Sequence, residues 1–156
     1  CIYAMAFKSM TLGEVFLQFS YGCALTFLLV PIHEGLHGLA YKWCGAPSVT
    51  YEAHWKKLYF TANADKFVVG RKAFRLVGLA PFIVITTLLA VAASISSLPT
   101  AIMVLTILTV HAGMCAGDFG LLSYFDFRKP HEVVTFDDMK SGKSFFLIRS
   151  SEPAEY

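Results

Sequence analysis

The chain has 156 residues, of which 56% are hydrophobic, 15% are aromatic and only 15% are charged. A soluble globular domain carries about a quarter charged residues, so this balance argues against an ordinary water-exposed surface and favours contact with lipid. The length suits a single domain, and a net charge of +2 is too small to suggest binding to nucleic acid.

Three long apolar stretches predict helices at about 15–43, 74–98 and 101–125. Each stretch exceeds the ~20 residues that a helix needs to cross the hydrocarbon core of a bilayer. Pro31 and Pro81 lie within these stretches, where membrane helices tolerate kinks, and Pro31 could instead open a new helical segment. The sequence therefore predicts a mainly α-helical membrane protein with three transmembrane helices.

Basic residues are concentrated on one side of the predicted helices. The connection between the first two helices, with its flanks, holds seven of the 13 Lys and Arg residues, and the tail over 126–156 holds five. Only Lys8 lies on the opposite side. The positive-inside rule then predicts that the loop over 44–73 and the tail are cytoplasmic, with the N-terminus outside.

Two pairs of short segments rich in β-branched and aromatic residues predict cytoplasmic β-hairpins. The first pair is Val49–Ala53 and Leu58–Ala62, and the second is Val133–Phe136 and Phe145–Ile148. No repeat or composition change marks a second domain. We therefore interpret residues 1–156 as one membrane-embedded domain.

The pentapeptide His33-Glu-Gly-Leu-His37 carries the strongest chemical signal in the chain. Two histidines four residues apart lie on the same face of a helix, so their nitrogens can bind one zinc ion. Zinc acidifies a water molecule, and Glu34 is placed to take its proton. This HExxH pattern is typical of zinc peptidases.

Asp118 is the leading candidate for the third zinc ligand. It lies about eight residues before the cytoplasmic end of the third predicted helix, and His37 lies about seven before that of the first. At 1.5 Å per residue, both are roughly 10 Å inside the same boundary. An interhelical hydrogen bond or a pairing with a cation is the alternative role for Asp118.

Other residues with metal-binding or catalytic chemistry are weaker candidates. His111 lies about two turns deeper than Asp118, so it fits either a hydrogen bond near a substrate carbonyl or a packed histidine. Cys44 and Cys115 could bind zinc, but neither has a paired neighbour of the usual spacing.

Three segments together carry a resemblance to a known family. They are Pro31-Ile-His-Glu-Gly-Leu-His-Gly38, Arg75-Leu-Val-Gly-Leu-Ala-Pro-Phe82 and His111-Ala-Gly-Met-Cys-Ala-Gly-Asp-Phe119. In order and spacing the chain resembles the zincin peptidase family of bacterial membrane proteins, which is related to the site-2 intramembrane zinc proteases. The resemblance covers nearly the whole chain.

The resemblance implies one zinc ion bound by His33, His37 and Asp118, with Glu34 as the general base. Site-2 proteases usually carry the third ligand in a Leu-Asp-Gly setting, whereas here Asp118 lies between Gly117 and a phenylalanine. His111 corresponds loosely to a substrate-orienting asparagine in those enzymes. The resemblance also implies a bacterial cytoplasmic membrane location.

These expectations combine into a predicted function. The chain would be a zinc-dependent intramembrane peptidase that hydrolyses membrane or membrane-adjacent protein or peptide substrates near the cytoplasmic face. The alternative from another class is a metal-binding membrane sensor or chaperone without turnover. A third option is a transport or assembly subunit whose polar residues only hold helices together, and this option predicts no metal.

Overall fold

The computed structural model describes residues 10–54, 59–127 and 133–148. These residues form five helices, namely α1 Leu12–Thr26, α2 Leu29–Trp43, α3 Arg71–Ile95, α4 Leu98–Met114 and α5 Ala116–Phe127. They also form five strands, namely β1 Thr50–His54, β2 Tyr59–Asn63, β3 Val69–Gly70, β4 Val133–Asp138 and β5 Lys143–Ile148. The predicted mainly helical fold with small antiparallel β-elements is confirmed.

The first predicted helix is two helices rather than one. The helix α1 begins at a capping box, in which Thr11 and Glu14 each satisfy the backbone N–H of the other. After a break at residues 27–28 the chain bends by 42° and continues as α2. Pro31 lies in the first turn of α2, where its missing N–H would have had no helical acceptor. Pro31 thus falls at the opening of the helix that bears the HExxH pattern.

The third predicted helix is also broken. The helices α4 and α5 meet at Cys115 with a bend of 42°, and the Cys115 N–H donates to the carbonyl of His111 at 3.1 Å. The second predicted helix is continuous, because α3 passes through Pro81 without a break. Among the described helices, α3 is the only single helix that is long and apolar enough to cross a bilayer. The α1–α2 and α4–α5 pairs qualify only as bent spans, so the described residues contain one candidate span or up to three.

The contacts divide the chain into two compact units. The first unit comprises residues 1–33 and 81–116, and in it α1 packs along α4. Close packing of these helices depends on Gly22, since a Cβ there would lie 2.6 Å from the Cβ of Thr106. The absence of a side chain lets the two backbones approach one another.

The second unit comprises residues 34–80 and 117–156 and contains the described strands. The strands β1 and β2 form an antiparallel hairpin in which Tyr51 pairs with Ala62, and β4 and β5 form another in which Thr135 pairs with Phe146. Both hairpins confirm the sequence prediction. The short strand β3 adds to the second hairpin through β4, so that sheet has three strands in the order β3-β4-β5.

The core of the second unit joins its helices to this sheet. Phe125 is fully buried and stacks on Phe74 with ring centroids 4.5 Å apart, while Phe146 of β5 meets Phe125 edge to face. Val133 and Val69 are also buried in this cluster. The core therefore fixes α5, the start of α3 and the three-stranded sheet against one another.

Candidate metal centre

A cavity of about 230 Å³ lies within the second unit. Its wall includes Glu34 and His37 from α2 and Asp118 from α5. Residues 60–63 of β2 form another part of the wall, and α3, β4 and β5 contribute further residues. Two carboxyl groups and an imidazole thus share one small cavity.

His37 is held in a defined orientation within this cavity. Its Nδ1 donates to the backbone carbonyl of Val77 at 2.9 Å, because a carbonyl oxygen can only accept. In the neutral ring, the proton on Nδ1 leaves Nε2 with its lone pair, and Nε2 lies 3.4 Å from Oδ1 of Asp118. His37 is only 9% exposed, so this pair is largely shielded from solvent.

Small residues on two helices allow this arrangement. Gly78 follows Val77 on α3, and a Cβ there would lie 3.2 Å from Cγ of Leu122. The glycine therefore permits close approach of α5, which carries Asp118 one turn before Leu122. Gly38 plays a similar part beside His37, since a Cβ there would overlap the side chain of Tyr51.

Glu34 is tied to the edge of the first hairpin. The backbone N–H of Ala62 donates to Oε2 of Glu34 at 2.9 Å. This contact holds the carboxyl group of α2 against β2, in the wall of the cavity that also contains His37 and Asp118.

A second polar cluster lies within the first unit. Nδ1 of His33 is 3.2 Å from Nε2 of His111, and Sγ of Cys115 is 3.7 Å from that His111 nitrogen. The sulfur is also 4.0 Å from Nδ1 of His33. His111 and Cys115 are fully buried and His33 is 7% exposed, so the cluster is sealed from bulk water.

The structure brings several of the predicted site residues together. His37 and Asp118 are in contact and share a cavity with Glu34, and His33 contacts His111. His33 and His37 remain one turn apart on the same helix, as the pattern predicted. The assigned roles as ligand, base and catalytic histidine remain predictions.

The sequence did not predict two contacts of these residues. The orienting contact from Val77 is made by a backbone carbonyl, which no side-chain pattern reveals. Cys115 has no cysteine partner at zinc-binding spacing, but His111 and Cys115 have the same four-residue spacing as the two histidines of the HExxH pattern. That spacing was the signal that could have paired them.

Comparison with known proteins identifies the family. No curated protein and no solved structure matches the chain. A family described as "Putative zincin peptidase" matches residues 26–133, a span that contains the HExxH residues, His111 and Asp118. Because this match covers well over half of the chain, the chain belongs to that family of zincin peptidases.

Proposed function

We propose that the chain is a zinc-dependent intramembrane peptidase, with zinc held by His33, His37 and Asp118 and with Glu34 as the general base. The observation that carries this proposal is the grouping of Glu34, His37 and Asp118 around one cavity. The HExxH pattern and the zincin family membership support the same chemistry.

The donor atoms fit a zinc ion. Two nitrogen or oxygen ligands on one tetrahedral zinc are separated by about 3.3–3.5 Å, since each lies about 2.0–2.2 Å from the metal. The 3.4 Å between His37 Nε2 and Asp118 Oδ1 agrees with that separation. A direct charge-assisted hydrogen bond would be shorter, about 2.7–2.9 Å, so the spacing favours ligands of a shared ion.

His33 and His37 are each oriented to bind zinc through Nε2. Nδ1 of His37 is occupied by the Val77 carbonyl, and Nδ1 of His33 faces His111. Metal-binding histidines usually donate their second nitrogen to such a partner, which fixes the tautomer and the ring orientation. Nε2 of each histidine is therefore the nitrogen assigned to zinc.

Glu34 performs the proton transfers in the proposed reaction. Zinc, when bound, supplies a Lewis acid that polarises a carbonyl group and lowers the pKa of water. Glu34 accepts a proton from the attacking water and later delivers it to the amine that leaves when the peptide C–N bond breaks. Its hydrogen bond from Ala62 positions the carboxylate for both steps.

The cavity wall also supports a role in holding an extended substrate. Residues 60–63 of β2 line the cavity, on the edge of β2 opposite its partner β1. An extended peptide can pair with an exposed strand edge through its backbone, with little regard to its sequence. We therefore assign the cavity-facing edge of β2 to substrate binding by strand addition.

Exposed apolar side chains support a bilayer setting. Phe16 on α1 is 69% exposed, and Leu88 and Val91 on α3 are 65% and 55% exposed. Exposed large apolar patches are costly in water, and lipid would cover them. The positive-inside rule then orients the protein with its C-terminus in the cytoplasm, so cleavage would take place near the cytoplasmic face.

The test uses a Glu34→Gln variant with Glu52→Gln as its matched control. Glu52 lies on β1 outside the cavity wall, so its neutralisation tests the effect of losing one carboxylate elsewhere in the same unit. The purified full chain is reconstituted in liposomes with a single-span membrane protein that has a Gly-Pro break near its cytoplasmic end. Mass spectrometry of the products reports cleavage.

Wild type and Glu52→Gln are expected to cleave this substrate, whereas Glu34→Gln retains zinc and loses cleavage. Undiminished cleavage by Glu34→Gln would rule out the proposed base. A zinc-loaded wild type that cleaves neither this substrate nor casein would contradict the peptidase proposal and favour a metal-binding sensor.

A further inference from the structure

We infer that His33, His111 and Cys115 form a second metal site, which binds an ion that accepts both thiolate and imidazole ligands, either Zn²⁺ or Cu⁺. All three residues lie within the first unit, and their ligand atoms lie within 4.8 Å of one another. The second site uses Nδ1 of His33, whereas the peptidase zinc is assigned to Nε2 of the same residue.

The distances match those of ligands around one ion. With zinc–nitrogen bonds of about 2.05 Å and a zinc–sulfur bond of about 2.3 Å, tetrahedral angles place two nitrogens about 3.3 Å apart and nitrogen and sulfur about 3.6 Å apart. The corresponding separations here are 3.2 Å between the nitrogens and 3.7 and 4.0 Å to the sulfur. Each lies within about 0.4 Å of the expected value.

The sulfur of Cys115 lies beside both histidine nitrogens. It can donate its S–H proton to only one of them and can contact the other only as a weak acceptor. A metal ion between the three atoms would engage the lone pair of each one. This is the arrangement that thiolate and imidazole ligands adopt around zinc and copper.

Local structure builds this set from two chain segments. His111 and Cys115 are four residues apart at the end of α4, where the Cys115 N–H donates to the His111 carbonyl, so both side chains lie on one face. His33 joins them from the first turns of α2. The set therefore needs no rearrangement of the backbone before an ion binds.

Burial sets the character of the proposed site. His111 and Cys115 have no exposure, so a peptide substrate cannot reach the ion, and the site retains metal rather than hydrolysing peptides. Binding releases the thiol proton of Cys115 to solvent, and the resulting thiolate offsets one positive charge of the ion in its apolar surroundings. His111 binds as an imidazole through Nε2. His33 gives up its ring N–H proton to solvent and bridges the two ions as an imidazolate, through Nδ1 at this site and through Nε2 at the peptidase zinc.

X-ray absorption at the metal edge tests this inference on the full chain purified in detergent. In separate arms the protein is loaded with Zn²⁺ or with Cu⁺ and freed of excess metal. We expect a sulfur shell at about 2.3 Å in at least one arm. We expect Cys115→Ser to lose that shell and about one equivalent of bound metal per chain, because the thiolate ligand is gone.

Cys44→Ser is the matched control and is expected to keep the sulfur shell, since Cys44 lies in the second unit. His111→Ala should lose the shell as Cys115→Ser does. A sulfur shell that appears only in the Zn²⁺-loaded or only in the Cu⁺-loaded protein identifies the ion that the site binds. Absence of sulfur scattering in both arms, or its persistence in Cys115→Ser, would overturn the inference.

The two proposals fail independently. Asp118→Asn removes a ligand of the peptidase zinc and leaves His33, His111 and Cys115 intact, so it should lose cleavage but keep the sulfur shell. If neither wild type nor any variant cleaves the substrate and the sulfur shell is present, only the proposed function is contradicted.

Discussion

Replacing Gly22 with alanine tests the close packing of α1 on α4, which carries His111. A Cβ at Gly22 would lie 2.6 Å from Cβ of Thr106 and 2.7 Å from the backbone oxygen of Met103. Carbon atoms in contact are normally about 3.5–4.0 Å apart, so the helices must separate or tilt by about 1 Å. Thr106 cannot readily turn aside, because its hydroxyl donates to the carbonyl of Ile102 at 2.8 Å.

The magnitude follows from two opposing contributions. Overpacking of a filled interface costs about 1–3 kcal/mol. Replacing glycine by alanine within a helix contributes about 0.5–1 kcal/mol in the opposite direction. We expect Gly22→Ala to be destabilised by roughly 1 kcal/mol in net terms, while Gly13→Ala in the same helix, which meets no tight contact, should be stabilised by up to about 1 kcal/mol.

Thermal unfolding in detergent, followed by circular dichroism, measures both variants against wild type. A difference of about 2 kcal/mol between the two corresponds to roughly 4–8 °C for a chain of this length. Gly22→Ala should therefore melt well below Gly13→Ala. Equal melting temperatures, or a more stable Gly22→Ala, would refute the packing argument.

Two further predictions concern the second unit. Phe125 is fully buried against Phe74, so Phe125→Ala should lower the free energy of unfolding by about 3–5 kcal/mol. Phe127→Ala should change the free energy of unfolding little, because Phe127 is 83% exposed. Equal losses of stability in Phe125→Ala and Phe127→Ala, measured by denaturant titration, would contradict the core assignment. The Ser141 hydroxyl lowers the pKa of Asp138 below its ordinary value, so Ser141→Ala should raise that pKa. The stabilisation from ionised Asp138 is fully present above its unfolded-state pKa and is lost as the pH falls through the lower folded-state pKa. An NMR titration in which the pKa of Asp138 does not move in Ser141→Ala would contradict this assignment.

Local sequence patterns predicted most of the secondary structure. Alternating β-branched and aromatic residues located both hairpins, and continuous apolar stretches located the helices to within a few residues at most of their ends. The bends were harder to predict, because an apolar run looks the same whether the helix is straight or broken. Pro31 offered a signal for one bend, whereas Cys115 offered none for the other.

Contacts between distant segments were predicted only where a depth argument applied. The matched depths of His37 and Asp118 anticipated that they would lie near one another, and their side chains are 3.4 Å apart. No such argument linked β3 to β4, because a two-residue strand has no periodicity to detect. Backbone partners such as the Val77 carbonyl are likewise invisible in a sequence, since every residue offers the same group.

The most direct test of the central claim is a crystal structure of the zinc-loaded chain, with anomalous scattering recorded at the zinc edge. We predict an anomalous peak about 2.0–2.2 Å from Nε2 of His33, Nε2 of His37 and a carboxylate oxygen of Asp118. A zinc-loaded structure with no peak between these three residues would contradict the proposed metal centre.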